Sequence, residues 1–217
     1  LESTFGKWDS KSKYEYIKPE LFATKKQDKE YLTPDKENGA AVGKISFSMD
    51  RKSPDYPALV IANEMLGSGG FLTARIPTRL REKEGISYGA GSYVNIPIES
   101  NVASWGWYAF YNPTKKDAVN KALKEEVNKA VKDGFTEEEY KSNLTSWLNS
   151  RKTGLGNDNT LMNLVNGQLQ YGVALEEYDV LEAKVSALKV SQVNDVLRRY
   201  ISEDKLTSVF AGDFNKK

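Results

Sequence analysis

The sequence predicts an α+β fold in which helices pack on one face of a mostly antiparallel sheet. Two observations support this. The strand-like runs 86–98 and 102–111 are separated by a short turn, and the helical segments come in blocks instead of one per strand. A hairpin forces its strands to be antiparallel, whereas a parallel sheet needs a crossover after each strand. At 217 residues, the chain is long enough to bury a substantial core.

Residues 1–38 are predicted to be a lead-in or linker segment, and residues 39–217 a single α+β domain. The lead-in is rich in lysine, shows little periodicity and contains Pro19 and Pro34, which suits an extended segment carrying short strands. The run 40–49 is β-branched and aromatic, which predicts the first long strand.

Two helices joined by a glycine-rich loop are expected next. The Ser-Pro pair at 53–54 predicts a helix start, because serine can cap free amides and the fixed φ of proline suits the first helical position. This helix runs to about Leu66 and is ended by the loop 67–70. A second helix is expected over 71–84, with Gly85 as its left-handed stop.

The rest of the chain is mainly helical and ends in a strand. The Asn-Pro pair at 112–113 begins a helix with apolar residues three and four apart, which Gly134 closes. The segment 136–139, Thr-Glu-Glu-Glu, is a capping box that begins the next helix. Helices at about 158–171, 175–188 and 191–201 and a closing strand at 206–211 complete the prediction.

Composition excludes several kinds of function. The net charge is +1, so no bulk field attracts nucleic acid or an anionic membrane. The absence of histidine and cysteine removes disulfides, Ser-His-Asp and Cys-His catalysis, and the usual zinc ligands. No apolar run approaches the roughly 20 residues of a membrane span. Without an initiator methionine or signal peptide, the sequence is expected to be a mature product or a piece of a longer protein.

The step from Arg81 to Tyr88 is the candidate site. Arg81 lies in the predicted last turn before Gly85, where its donors could reach toward Tyr88 or a bound carbonyl group. Arg75 and Arg79 spread around the same helix, which is typical of a solvated surface. From the residues alone, a solvated helix end remains the alternative for Arg81.

Three other motifs each have a structural and a functional interpretation. The loop 67–70 is either a helix connector or an anion cradle, although it follows a helix and lacks the P-loop lysine. The aromatic run 105–111 is either a buried central strand or a wall for apolar side chains of a ligand. The glycosylation sequon at Asn143 falls within a predicted amphipathic helix and is attributed to chance.

Three motifs in this order resemble the C-terminal half of pitrilysin/insulinase-type zinc metallopeptidases. The first is Ser-Pro-Asp-Tyr-Pro-Ala-Leu from residue 53. The second is Asn-Glu-Met-Leu-Gly-Ser-Gly-Gly-Phe-Leu-Thr-Ala-Arg-Ile from residue 63, and the third is Leu-Arg-Glu-Lys-Glu-Gly-Ile-Ser-Tyr-Gly from residue 80. The last strand, with Val-Phe-Ala-Gly-Asp-Phe from residue 209, is also similar. The resemblance spans about residues 38–214, and residues 5–8 are similar to the segment joining the two halves.

The resemblance implies the α+β fold and a role as the non-zinc half of a metalloendopeptidase. It places the family's arginine and tyrosine on Arg81, which would hold the substrate backbone, and on Tyr88, which would donate to the carbonyl oxygen that becomes negative. No cofactor is expected in this chain. Zinc is expected in a partner domain or subunit with a His-x-x-Glu-His motif, fused upstream or separate, and the isolated chain is expected to be inactive.

The resemblance further implies that the substrate is an extended peptide, held partly by strand addition to a sheet edge in one of the two halves. A bacterial periplasm or envelope location is favoured, with the cytoplasm left open. Two alternatives remain: a catalytically inactive binding or assembly subunit of the same fold, and an unrelated anion-binding module built on the glycine loop.

Overall fold

The computed structural model describes residues 1–9, 11–13, 15–22, 25–69 and 73–215. The strands are β1 Gln27–Leu32, β2 Gly39–Ser48, β3 Gly89–Asn95, β4 Val102–Tyr111 and β5 Thr207–Gly212. The α-helices are α1 Glu2–Phe5, α2 Tyr56–Asn63, α3 Arg75–Pro77, α4 Lys116–Asp133, α5 Glu137–Gly154, α6 Asp158–Tyr171, α7 Glu177–Ser186 and α8 Val190–Tyr200. The π-helical turns Glu64–Ser68 and Thr78–Lys83 extend α2 and α3, and short 3₁₀ turns lie at Pro113–Lys115 and Glu203–Lys205.

The strands form one sheet in the order β1-β5-β2-β4-β3. Strands β5, β2, β4 and β3 pair antiparallel, and only the β1–β5 pair among the described strands is parallel. The predicted α+β class is therefore confirmed. Strand β1 belongs to the lead-in, so part of that segment completes the sheet, while the boundary after residue 38 stays a prediction.

The helices cover one face of the sheet. On this face Ile45 pairs with Trp105 and Gly43 with Trp107, and all four are buried. Close packing requires glycine at position 43, because a Cβ atom there would collide with the indole of Trp107. The buried residues of α2, α4 and α8 pack above these strands in the same core. None of the described helices is both long and apolar enough to cross a membrane.

A buried polar contact joins this helical layer to the sheet. The Asn63 side-chain oxygen accepts hydrogen bonds from Trp105 Nε1 at 3.1 Å and from Ser92 Oγ at 2.8 Å. Asn63 ends α2, whereas Trp105 and Ser92 lie on β4 and β3. One amide thus fixes the position of α2 against two strands, and it satisfies two donors that have no access to water.

The predicted ends of the C-terminal helices agree with the structure. Gly134 ends α4 with a φ of 76°, and Thr136 and Glu139 form the capping box that begins α5. The Asn194 side chain bonds both the N–H and the carbonyl of Phe135. Helix α8 is thereby attached to the α4–α5 connection.

The predictions for the first helices need correction. Helix α2 begins at Tyr56 instead of residue 53, because Asp50 Oδ1 accepts from the Ser53 N–H and keeps that residue in a turn. The following helix is described from Arg75, and residues 70–72 of the predicted loop and helix lie outside the described residues. Strand β3 begins at Gly89 instead of residue 86, because Leu80 O accepts from the N–H groups of residues 86 and 87.

We predict that Asn63→Ala destabilises the protein by about 1–3 kcal/mol, because it leaves the Trp105 indole N–H buried without a partner and leaves the Ser92 hydroxyl only its longer contact, 3.3 Å, with the carbonyl of residue 63. Urea unfolding of the two proteins measures the difference. Asn163→Ala, at an exposed position of α6, is the control and should stay within about 0.5 kcal/mol of the wild type. Equal losses in both variants would contradict the role of the buried amide.

Candidate functional site

Arg81 lies in the π-helical turn that follows α3, and Gly85 ends this turn with a φ of 60°. The left-handed stop predicted at Gly85 is therefore confirmed. The Arg81 side chain is 46% exposed, and its Nε atom lies 3.8 Å from Glu82 Oε1. An exposed ion pair at this distance contributes little to stability.

Tyr88 immediately precedes β3 and its side chain is 61% exposed. Its backbone N–H donates to the carbonyl of Phe110 at 2.8 Å, and the Ser87 hydroxyl donates to the same carbonyl at 2.8 Å. The backbone at Tyr88 is thus fixed to β4. The phenol, in contrast, is presented to solvent.

Backbone contacts bring the two residues to the same turn. The carbonyl of Leu80, which precedes Arg81, accepts from the N–H groups of Ile86 at 2.9 Å and Ser87 at 3.3 Å. The segment that leads to Tyr88 therefore folds back onto the end of the π-helical turn. The predicted site residues are two exposed donors on either side of one hydrogen-bonded turn.

The other arginines of this region have structural roles, contrary to the solvated surface expected for them. Arg75 is largely buried and forms a bidentate pair with Glu139, with distances of 2.7 and 2.9 Å. Burial opposes ionisation of Glu139, but hydrogen bonds from Arg75 and Thr136 lower its pKa overall. Arg79 pairs with three glutamates, at positions 84, 125 and 126.

These three carboxylates outweigh burial and raise the pKa of Arg79 above its ordinary value. Sequence spacing alone did not reveal such pairs, because most of the partner carboxylates lie on α4 and α5. The pairs attach the arginine-bearing turns to those helices. Both arginines are thereby committed to structure.

The aromatic run of β4 divides between the two faces of the sheet. Trp105, Trp107 and Tyr111 are buried on the helical face, where burial raises the pKa of Tyr111 to about 12. Tyr108 and Phe110 are exposed on the opposite face, with ring centroids 5.9 Å apart. This pattern agrees with a buried central strand on one side. It also leaves an apolar surface, which includes Val42, on the open face.

The glycine-rich loop packs directly on β3. A Cβ atom on Gly67 would collide with the backbone N of Ser92, and one on Gly91 would lie 2.7 Å from the Gly67 carbonyl. The Gly69 N–H donates to the carbonyl of Glu64, and the Ser68 hydroxyl donates to its carboxylate. Both donors already bond to Glu64, and the Glu64 carboxylate would repel an anion at this point. The helix-connector interpretation of the loop is therefore favoured over an anion cradle.

We predict that Gly67→Ala costs about 1–3 kcal/mol, because the added methyl forces the loop away from β3. Gly167→Ala in α6 is the matched control. A Cβ atom there meets no heavy atom within 4 Å, and the change should add about 0.5–1 kcal/mol of helix stability. Chemical denaturation of both variants gives the comparison, and a Gly67→Ala protein as stable as the wild type would refute the close approach.

Glu64 is a partly buried carboxyl group next to this loop. Burial raises its pKa above the ordinary 4.5, and the Ser68 hydrogen bond offsets only part of that effect. Ionisation of Glu64 therefore opposes folding. The penalty is absent at low pH and develops as the pH rises through the unfolded-state pKa.

We predict that Glu64→Gln is more stable than the wild type at pH 7, and that this advantage disappears below about pH 4, where both states of the wild type are protonated. Urea midpoints at several pH values measure it. Glu138→Gln, at an exposed position of α5, controls for the loss of one negative charge. A constant advantage at every pH would show that charge on Glu64 is not the cause.

The residues present do not fit a zinc ion. The sequence has no histidine or cysteine, and within the described part of the chain no group of three or more acidic side chains could hold a metal. Zinc sites in proteins rely on imidazole and thiolate ligands. An α+β domain that lacks histidine and cysteine cannot build a zinc site of the usual kind from its own side chains.

The comparisons with known proteins identify the family. Residues 1–145 match the family model described as the peptidase M16 inactive domain, so the chain belongs to the peptidase M16 family. This confirms the resemblance to zinc metallopeptidases of the insulinase type. No protein of curated function matches the sequence.

Solved structures are similar in fold. A peptidase M16 inactive domain from Pseudomonas fluorescens has a TM-score of 0.78 at 22% identity, covering 91% of this chain and 46% of the other. A protease from Helicobacter pylori has a TM-score of 0.77 at 18% identity, covering 97% and 50%. The inactive peptidase domain of a proposed zinc protease from Bordetella parapertussis has a TM-score of 0.65 at 13% identity, covering 80% and 91%. The chain thus spans about half the length of the first two.

Proposed function

We propose that this domain is the non-zinc half of a zinc metalloendopeptidase and that it supplies Arg81 and Tyr88 to a peptide bound at a partner domain. The observation that carries the proposal is the hydrogen-bonded turn at Gly85, which has the exposed residues Arg81 and Tyr88 on its two sides, in a domain of the M16 inactive type. The partner is a domain with a His-x-x-Glu-His motif, in the same polypeptide or a separate subunit.

Tyr88 and Arg81 have different roles in this proposal. The Tyr88 phenol donates a hydrogen bond to the scissile carbonyl oxygen as that oxygen becomes negative, so the bond is stronger in the transition state than in the bound substrate. Arg81 binds a neighbouring carbonyl of the substrate backbone through its planar set of donors. The partner's zinc, when bound, polarises the carbonyl and activates water.

The open face of the sheet supports a peptide substrate. Val42, Tyr108 and Phe110 form an exposed apolar surface there, and Phe110 also holds the backbone at Tyr88. Apolar side chains of an extended peptide would lie against this surface while its backbone reaches the arginine and tyrosine. Hydrogen bonds to the peptide backbone would set the register of the substrate, and the aromatic rings of the sheet face would favour apolar side chains in the substrate.

A catalytically inactive binding or assembly subunit is the second candidate. The absence of histidine and cysteine from the sequence agrees with this candidate equally well, because a domain without zinc ligands can hold peptides without cleaving them. The two proposals differ in what the Tyr88 hydroxyl does. In a binding subunit, the hydroxyl has no transition state to stabilise.

We predict that Tyr88→Phe lowers kcat of the assembled enzyme about 10²–10³-fold, because one donor to the developing oxyanion is lost. Arg81→Gln, measured in parallel, should mainly raise KM. The assay uses an internally quenched peptide and this chain together with its His-x-x-Glu-His domain. Tyr16→Phe, an exposed tyrosine of the lead-in, is the matched control.

Thermal denaturation of each variant excludes a loss of folding as the cause, since an exposed phenol contributes little to stability. Unchanged kcat in Tyr88→Phe would eliminate the proposed catalytic role. Peptide binding without hydrolysis by the wild-type assembly would establish the binding subunit instead.

A further inference from the structure

The open face of the sheet carries positive charge and no negative charge on its five described strands. Even-numbered residues of β2 and β4 point to this face, because odd-numbered residues such as Ile45 and Trp105 lie in the core under the helices. The register then assigns the open-face positions of the other strands. Among all of these positions the charged residues are Lys29 and Lys44, and none is a carboxylate.

The whole chain, in contrast, is nearly balanced, with 31 lysine and arginine residues against 30 aspartate and glutamate residues. Asp28 and Glu30 of β1 lie on the helical side, because they alternate with Lys29. There they form ion pairs with Lys124 and Lys116 of α4. An anion at the open face therefore meets positive charge without a competing carboxylate on the strands.

The two lysines of the open face differ in their position in the sheet. Lys29 lies on β1, which is an edge strand, and lysine at an edge commonly prevents pairing with other chains. Lys44 lies on β2 at the centre of the sheet, where no edge needs protection and where lysine is disfavoured as a strand residue. Protection of an edge therefore accounts for Lys29 but not for Lys44.

Lys44 and Tyr93 lie on either side of Gly106 in one row across the sheet. Lys44 of β2 pairs with Gly106 of β4, and Tyr93 of β3 pairs with the same glycine from the other side. The Tyr93 ring leans over this glycine, because a Cβ atom at position 106 would lie only 2.5 Å from the phenol oxygen. The hydroxyl is thereby directed from β3 toward the strands that carry Gly106 and Lys44.

The domain itself uses neither donor of this pair. Among the described residues, the Lys44 ammonium and the Tyr93 hydroxyl have no hydrogen-bond or ion-pair partner. Burial raises the pKa of Tyr93, so the phenol stays protonated at neutral pH. An ammonium group and a phenol O–H are both donors that a carboxylate accepts, and hydrogen bonds to an ionised group are the stronger kind.

The pair adjoins the apolar part of the open face. Val42 precedes Lys44 by two positions on β2 and shares its side of the sheet, which puts the two side chains about 7 Å apart along the strand. Tyr108 is the β4 partner of Val42, and both are exposed. An extended peptide also presents every second side chain to one side, with the same spacing. The surface therefore fits a peptide that carries an acidic side chain near an apolar one.

We propose that Lys44 and Tyr93 form a subsite for the carboxylate of an aspartate or glutamate side chain in the peptide substrate. This inference rests on the proposed function and names the class of peptide that the site takes. The apolar side chain lies against Val42 and Tyr108, and the carboxylate accepts hydrogen bonds from the ammonium and the phenol. Gly106 is required between them, since a side chain there would displace the Tyr93 ring.

A comparison of matched peptides tests the subsite. Internally quenched peptides, blocked at both ends, carry Glu, Gln or Lys at one position, and this position is moved along the peptide. kcat/KM is measured for the chain assembled with its His-x-x-Glu-His domain. The variants are Lys44→Met, Lys44→Glu and Tyr93→Phe, and Lys29→Met is the matched control on the same face. The ratio between two peptides on one protein is independent of the folded fraction.

We expect the wild type to prefer Glu over Gln at one position by about tenfold, because the carboxylate accepts from two donors. Lys44→Met should reduce this preference below about twofold, and Tyr93→Phe should reduce it in part. Lys44→Glu should favour the Lys peptide instead, whereas Lys29→Met should behave as the wild type. A wild type without preference for Glu at any position, or a preference that survives Lys44→Met, would overturn the proposal.

Binding of the same peptides separates the subsite from the proposed function. It is measured by fluorescence polarisation of rhodamine-labelled Glu and Gln peptides with the same assembly. Cleavage of both peptides at equal rates would refute the subsite and leave the proposed function standing. Tighter binding of the Glu peptide, lost in Lys44→Met, by an assembly that cleaves neither would refute the catalytic role and leave the subsite standing. An assembly that neither binds nor cleaves them would refute both.

Discussion

The close approach of α2 and its π-helical extension to strands β3 and β4 is the constraint on which the rest of the structure depends. Asn63 bonds the indole of Trp105 and the hydroxyl of Ser92, and Gly67 brings the backbone of the loop against Ser92. Polar and steric contacts meet within five residues of one helix end. Either contact alone would leave β3 able to shift along the helix, because hydrophobic packing is not directional.

This constraint extends to the candidate site through the backbone. Strand β3 is an edge strand of the sheet. It pairs with β4 on one side, and the π-helical turn Glu64–Ser68 packs against it. Tyr88 immediately precedes this strand, and its backbone N–H donates to the Phe110 carbonyl. The Leu80 carbonyl accepts from the N–H groups of residues 86 and 87, which holds the segment before Tyr88 against the turn that carries Arg81. The two exposed side chains are thus supported by buried contacts. In the proposed function, such support would keep the backbone at both residues in a fixed position relative to a bound peptide.

Local signals in the sequence predicted much of this arrangement. Residues 102–111 were predicted as a strand with the bounds that the structure shows, because a turn and a proline bracket them. Gly85, Gly134 and the Thr136 capping box were also predicted correctly. Each of these features depends on interactions within a few residues.

Contacts between distant segments could not be predicted in this way. The parallel pairing of β1 with β5 joins residues 27–32 to residues 207–212, and no periodicity in the lead-in indicates it. The salt bridges of Arg75 and Arg79 likewise depend on helices far along the chain. Ser53 shows the opposite kind of error. Its hydroxyl accepts from the Asp55 N–H, as a capping residue would, but Asp50 bonds the Ser53 N–H within a turn, and the helix begins only at Tyr56. Local propensity competes with such contacts and is often overridden by them.

The exposed apolar residues of the open sheet face bear on the proposed function. Val42 pairs with Tyr108 across β2 and β4, and both are exposed together with Phe110. Isolated apolar side chains are normal on a protein surface, whereas a contiguous group of them is typical of an interaction surface. In our proposal, this face holds apolar side chains of the peptide, and hydrogen bonds to its backbone come from elsewhere in the site. Apolar burial would then supply affinity and the hydrogen bonds would supply register, because burial is not directional and hydrogen bonds are.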